Sequence, residues 1–105
     1  MILLACETSC DETSVAVIEH DRIAANVVAS QIALHAVYGG VVPELATREH
    51  LRNFTPVAQS ALEAAGVPPE RLHAVAATRG PGLPQALMIG FQAAQAFAFA
   101  LGKPF

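Results

Sequence analysis

Glu7-Thr8-Ser9-Cys10-Asp11-Glu12-Thr13-Ser14 places three acids and four hydroxyls in eight residues, between the apolar runs Met1–Cys6 and Val15–Ile18. In a chain that is 53% hydrophobic and 14% charged, that much polarity at one turn points to a ligand. Hydroxyls and free backbone N–H groups at a tight turn suit anionic oxygens, so Thr8, Ser9 and Thr13 are expected to bind a nucleotide or phosphate. Asp11 and Glu12 would repel a bare phosphate. They fit better as general acid and base, or as holders of a metal-bound or attacking group. Neighbouring carboxylates in one turn also bear on each other's protonation. The competing reading is a solvated turn whose Asp and Thr side chains only cap backbone groups.

Thr78-Arg79-Gly80-Pro81-Gly82-Leu83 is the second candidate. It ends an apolar run and opens a helix, where Gly80 and Gly82 permit close backbone approach and the helix terminus favours an anion. It is not a P-loop, because no Gly-Lys-Ser/Thr follows, and most Gly-Pro-Gly turns are structural. His35 with Tyr38-Gly39-Gly40, and Arg48-Glu49-His50, are further places of interest. His35 and His50 are expected at the surface or an interface rather than as ligands. His20 and His73 fall in turns and are assigned no role. Cys6 and Cys10 cannot complete a tetrahedral zinc site. Their spacing is too short for a comfortable disulfide, so both are expected as reduced thiols of a cytoplasmic protein. No metal site is expected within the chain.

The elements that must position these residues follow from periodicity. Ile2–Cys6, Thr13–Glu19 and Arg22–Ser30 read as strands, with His20-Asp21 as a hairpin turn between the last two. Strands so close in sequence should pair antiparallel. Gln31–Gly40 is ambiguous. A long helix starts near Val42 or Pro43, with apolar spacing traced through Leu45, Arg48, Leu51, Asn53, Phe54, Val57, Ala61 and Leu62, and stops at Gly66. Pro69–Leu72 forms a short turn, Ala74–Thr78 a fourth strand, and Pro84–Leu101 a second long helix, expected to be buried on most faces. Lys103-Pro104-Phe105 looks like the start of a fifth strand. The order βββ-α-β-α predicts an α/β fold with a mixed sheet and helices against it.

With 105 residues the chain is one domain. Nine acidic and six basic residues leave a net charge of −3, with no basic stripe, which argues against direct nucleic-acid binding by this segment. There is no basic region ahead of the first apolar run, so no signal peptide is expected. Gly80–Gly102 is uncharged, but its prolines, glutamines and alanines argue for a buried helix rather than a membrane span. So few charges for so much surface imply that something outside the chain covers part of it.

ETSCDETSVAV, then SQIALHAVYGGVVPELATREH, then TRGPGL, and an Ala-rich helix ending LGKPF occur in that order. Together they resemble the N-terminal part of the universal tRNA N6-adenosine threonylcarbamoyltransferase family, formerly called glycoproteases or O-sialoglycoprotein endopeptidases. The resemblance spans essentially all 105 residues. It implies the actin-like, sugar-kinase and Hsp70 ATPase (ribonuclease H-like) fold, in which each of two lobes is a βββαβα unit. Residues 1–105 would then be one N-terminal lobe without the second. It implies transfer of a threonylcarbamoyl group from an adenylate to adenosine 37 of tRNA, with Ser9, Asp11 and Glu12 facing the adenylate and metal. An iron or zinc ion and threonylcarbamoyl-AMP or ATP are cofactors of the full-length family. Its paired metal-ligand histidines would lie beyond Phe105, and none of His20, His35, His50 or His73 matches them. The chain departs from the family at Arg79, Pro84 and Gln85.

Two functions are weighed. One is the N-terminal half of the transferase, inactive alone. The other is a non-enzymatic dimerisation module like the family's silent paralogue, which lacks the Cys-Asp-Glu-Thr turn present here. The expected partner is a twin or a paralogous subunit, through helices 42–65 and 84–101. Contact with tRNA is expected only in the full-length assembly, and no membrane contact is expected. A protease reading finds no Ser/His/Asp or zinc-protease spacing to support it.

Overall fold

Apolar side chains alternate along the first two strands, and that period sets which face of the sheet is covered. The computed structural model describes every residue from Met1 to Phe105. In β1 (Ile2–Glu7), Ile2, Leu4 and Cys6 are buried; in β2 (Glu12–Glu19), Thr13, Val15 and Val17 are buried. The residues between them point to the opposite face, which carries no helix and stays half-exposed. β3 (Arg22–Ser30) joins β2 through a two-residue hairpin in which Glu19 pairs with Arg22. His20 takes a positive φ of 58° there, the left-handed geometry such tight hairpins need.

The sheet order is β3-β2-β1-β4, antiparallel except for β1 beside β4 (Ala74–Ala77), which run parallel. A parallel neighbour requires a crossover. It is supplied by α1 (Ile32–Ala36), α2 (Pro43–Ala65) and a 3-10 turn over Pro69–Arg71. α2 lies across β2 and β3, and α3 (Pro84–Leu101) lies across β4 and β1. One core of buried residues fills the space between, centred on Leu4, Val15, Val17, Leu72 and Val75.

The helix boundaries have local causes. Pro43 and Pro84 open α2 and α3, where a missing N–H costs nothing. Gly66 and Gly102 close them in left-handed conformation (φ 67° and 65°), and the following amides, Val67 and Lys103, reach back to Leu62 and Ala98 at 3.1 and 2.9 Å.

Three sequence expectations are corrected. α3 is not buried on most faces: one stripe of small residues, Ala86, Gly90, Ala94 and Ala98, meets the sheet, while Phe99 is 88% and Met88 50% exposed. The helix sits over the β1–β4 edge with nothing above it. In the first half of α2 the phase differs from the expected one. Leu51 and Arg48 face outward, and the buried stripe is Ala46, His50, Phe54, Val57, Ala58, Ala61 and Leu62. Lys103–Phe105 forms no strand, but the Pro104 carbonyl accepts from Val75 N–H at 3.0 Å, beside β4. No helix is long and apolar enough to cross a membrane.

Candidate functional site

Four residues, Thr8 to Asp11, link β1 to β2 at the end of the sheet where β4 hands over to α3. Topology therefore brings the acidic turn and the Gly-Pro-Gly turn together. Leu83 N–H donates to the Ser9 carbonyl at 2.8 Å. A Cβ on Gly82 would stand 2.6 Å from that oxygen and 2.7 Å from Ser9 Cβ, so only glycine lets the two turns touch. Gly80 has open space around it.

The acidic turn is gripped from several elements. The Thr8 hydroxyl donates to the Ala86 carbonyl at 2.8 Å and accepts from Gly90 N–H at 3.1 Å, fastening β1 to α3. Ser9 N–H donates to a Glu7 carboxylate oxygen at 2.7 Å. The Cys10 carbonyl accepts from His50 Nε2 at 2.8 Å, and the Asp11 carbonyl from Gln31 N–H at 2.9 Å. The Thr13 hydroxyl meets His50 Nδ1 at 2.9 Å. The amides of Cys10, Asp11 and Gly82 donate to no protein group.

These contacts redistribute the expected roles. Thr8 and Thr13 are buried, with their hydroxyls committed to α3 and to His50, so neither offers a hydroxyl to a ligand. Ser9, Asp11 and Glu12 stay half-exposed. The two carboxylates do not act as one pair. Asp11 borders a cavity of about 350 Å³ with His35, Gly39, Gly40 and Val41. Glu12, the neighbour of inward-facing Thr13 in β2, projects from the helix-free face with Ser14 and Glu7.

His35 and His50 are not surface residues; both are buried. His35 Nδ1 accepts from Val42 N–H at 3.1 Å and its Nε2 meets Gln31 Oε1 at 2.7 Å. Gln31 Nε2 in turn donates to the Ala46 carbonyl at 3.3 Å. The chain ties the start of α2 to the residue that holds Asp11. A signal for His50 does exist in the sequence: it falls four residues from both Ala46 and Phe54, on the stripe that must be buried. A polar ring there has to be hydrogen-bonded.

No three His, Cys, Asp or Glu side chains converge as a metal site. The residues present do not by themselves fit the metal that the resemblance implies.

Both cysteines are free. Burial, then the charge of Glu7, pushes the Cys6 thiol up to about 12. Burial also raises Cys10, helped by the charge and hydrogen bonding of Asp11 and then by Glu7. A folded-state value above the unfolded 9.0 means that Cys6 favours the fold fully below pH 9.0. That contribution is lost between 9.0 and about 12, as the unfolded thiol ionises first. The expected result is a stability decline over that window that Cys6→Val makes shallower in alkaline denaturation curves. With a maleimide at neutral pH, Cys10 should react in the native protein and Cys6 only on unfolding.

Comparison with known proteins accords with this architecture. Residues 22–105 match the family described as TsaD: tRNA N6-adenosine threonylcarbamoyltransferase. Proteins of that name from Geotalea uraniireducens and Thermus thermophilus are 53% and 50% identical over 105 residues. The alignments take in 99% and 100% of this chain, but only 31% and 32% of those proteins, at their N-terminal ends. Among solved structures, YeaZ from Pseudomonas aeruginosa superposes with a TM-score of 0.74 at 28% identity, over 99% of this chain and 42% of that one. The fold is thus the βββαβα unit of the ribonuclease H-like, actin-like class. Matched by the family along most of its residues and about half identical to these transferases throughout, the chain belongs to the tRNA N6-adenosine threonylcarbamoyltransferase family.

Proposed function

We propose that residues 1–105 act as the N-terminal lobe of a tRNA threonylcarbamoyladenosine (t6A37) transferase and are inactive alone. The observation that carries this reading is the contact between the two turns. Leu83 N–H on the Ser9 carbonyl locks the acidic turn against the head of α3 and leaves Asp11 and the unpartnered amides of Cys10, Asp11 and Gly82 at that edge, with Glu12 on the opposite face of the sheet. Such an edge is half of a cleft: amides for the anionic part of an adenylate, and a carboxylate for proton transfer at the reacting carbamoyl. A second lobe supplies the opposite wall, the metal ligands (iron or zinc) and the remaining adenylate contacts. The acidic surface of this lobe leaves the tRNA to the rest of the assembly. Two free thiols and a tRNA substrate support a cytoplasmic location.

The test is a chimera in which residues 1–105 replace the matching N-terminal segment of the Geotalea relative. Transfer of radiolabelled threonylcarbamoyl to tRNA is expected from the chimera and not from the 105-residue chain. A folded chimera without transfer overturns the reading.

A second reading, dimerisation, rests on a separate feature. Between α2 and the turn after it, an apolar groove of about 500 Å³ is lined by Phe54, Ala58, Leu62, Val67, Pro68 and Phe97. A twin or a paralogous subunit docking helix to helix over 42–65 and 84–101 would cover it. Light scattering of the chain at high concentration should then give twice the monomer mass, and a monodisperse monomer removes the homodimer.

A further inference from the structure

One imidazole brackets the two acids of the turn. His50 has no exposed surface, and α2 carries it over the end of β2. Its Nε2 lies 2.8 Å from the Cys10 carbonyl, and its Nδ1 2.9 Å from the Thr13 hydroxyl. A carbonyl oxygen only accepts, so the proton is on Nε2. Nδ1 then pairs with the Thr13 hydroxyl, which can donate or accept, and every polar atom of the group is paired.

The Cys10 carbonyl and the Asp11 amide belong to the same planar trans peptide. Turning that carbonyl toward α2 turns the Asp11 N–H away from α2, and this amide donates to no protein group. Gln31 N–H holds the next carbonyl, that of Asp11, at 2.9 Å. The backbone is fixed on both sides of the Asp11 side chain, and Thr13 fixes it again one residue past Glu12.

We propose that His50 is a positioning residue. It aims the Cys10–Asp11 peptide so that the Asp11 N–H and carboxylate face the substrate edge with fixed orientation. The inference rests on the transferase reading above, and it adds a residue from α2 that touches no substrate. Without the ring, the part-buried Cys10 carbonyl loses its donor and the peptide is no longer held from α2. Misaiming by about 1 Å is enough to cost on the order of 100-fold in rate.

Two measurements test it. In the ¹⁵N-labelled 105-residue chain, imidazole NMR should find His50 protonated at Nε2; a bare Nε2 with the proton on Nδ1 overturns the proposal. This needs no variant and no activity. In the chimera, His50→Leu should lower kcat/KM for the threonylcarbamoyl adenylate about 10- to 100-fold while KM for tRNA stays within about twofold. His50→Gln, which keeps an N–H for the Cys10 carbonyl, should recover activity to within about threefold of the unmodified chimera. Unchanged kinetics in His50→Leu, or a folded His50→Gln as poor as Leu, contradicts the role. An inactive unmodified chimera overturns the transferase reading instead, and the tautomer still decides the positioning.

Discussion

Gly90→Ala should cost about 2–4 kcal/mol in denaturant unfolding. Two effects oppose each other. Alanine in a helix interior is worth about 1 kcal/mol over glycine. Against that, the new Cβ would overlap Thr8 Oγ1 and approach its Cγ2 to 2.9 Å. Neither atom is the end of a flexible side chain, because Thr8 is buried and hydrogen-bonded on both sides. α3 has to lift from β1, with overpacking strain of about 1–3 kcal/mol, and two buried hydrogen bonds stretch at a similar cost. The double variant Gly90→Ala/Thr8→Ala should recover part of the loss, because the clashing atoms are gone. Additive losses in that cycle would show that the contact is not the cause.

Asp11→Asn should abolish chemistry and leave the fold alone. The substitution keeps size and removes one charge at a half-exposed position whose backbone is held through its carbonyl, not its side chain. The melting temperature should move by no more than about 2 °C, within the usual range of a surface change. Transfer by the chimera should fall about 100- to 10,000-fold, the range of a lost general acid or base. Glu12→Gln serves as the contrast. Glu12 leaves β2 on the other face of the sheet and does not share the Asp11 cavity. The two substitutions should therefore act independently, each with its own kinetic signature. Equal transfer rates in Asp11→Asn and the unmodified chimera would remove Asp11 from the chemistry.

Much of the scaffold was legible in residue pattern. β3 and α3 start and end where Arg22, Ser30, Pro84 and Gly102 indicate, because turns, prolines and left-handed glycines act locally. The phase of α2 was not. The four-residue spacing of Ala46, His50 and Phe54 marks its inward stripe only weakly, while Leu51 suggests the other side and is 68% exposed. The acidic turn is visible as a segment, but residue pattern does not show that Thr8 and Thr13 turn inward. Burial of Thr8 and Thr13 depends on Gly90 and His50, residues 82 and 37 positions away. Such long-range contacts leave no local period. The same holds for Leu83 on Ser9, which joins the two candidate sites and is visible only once β1 and β4 are neighbours.

Nucleotide affinity measured side by side tests the half-cleft most directly. Calorimetric titration of ATP into the 105-residue chain should give a Kd weaker than about 1 mM, because three amides and no opposing wall supply little binding energy. The same titration into the chimera should give a Kd near 1–10 µM, roughly 4 kcal/mol tighter. Micromolar binding by the chain alone, or equally weak binding by both, would contradict the claim that the Thr8–Asp11 turn forms one wall of a two-walled site.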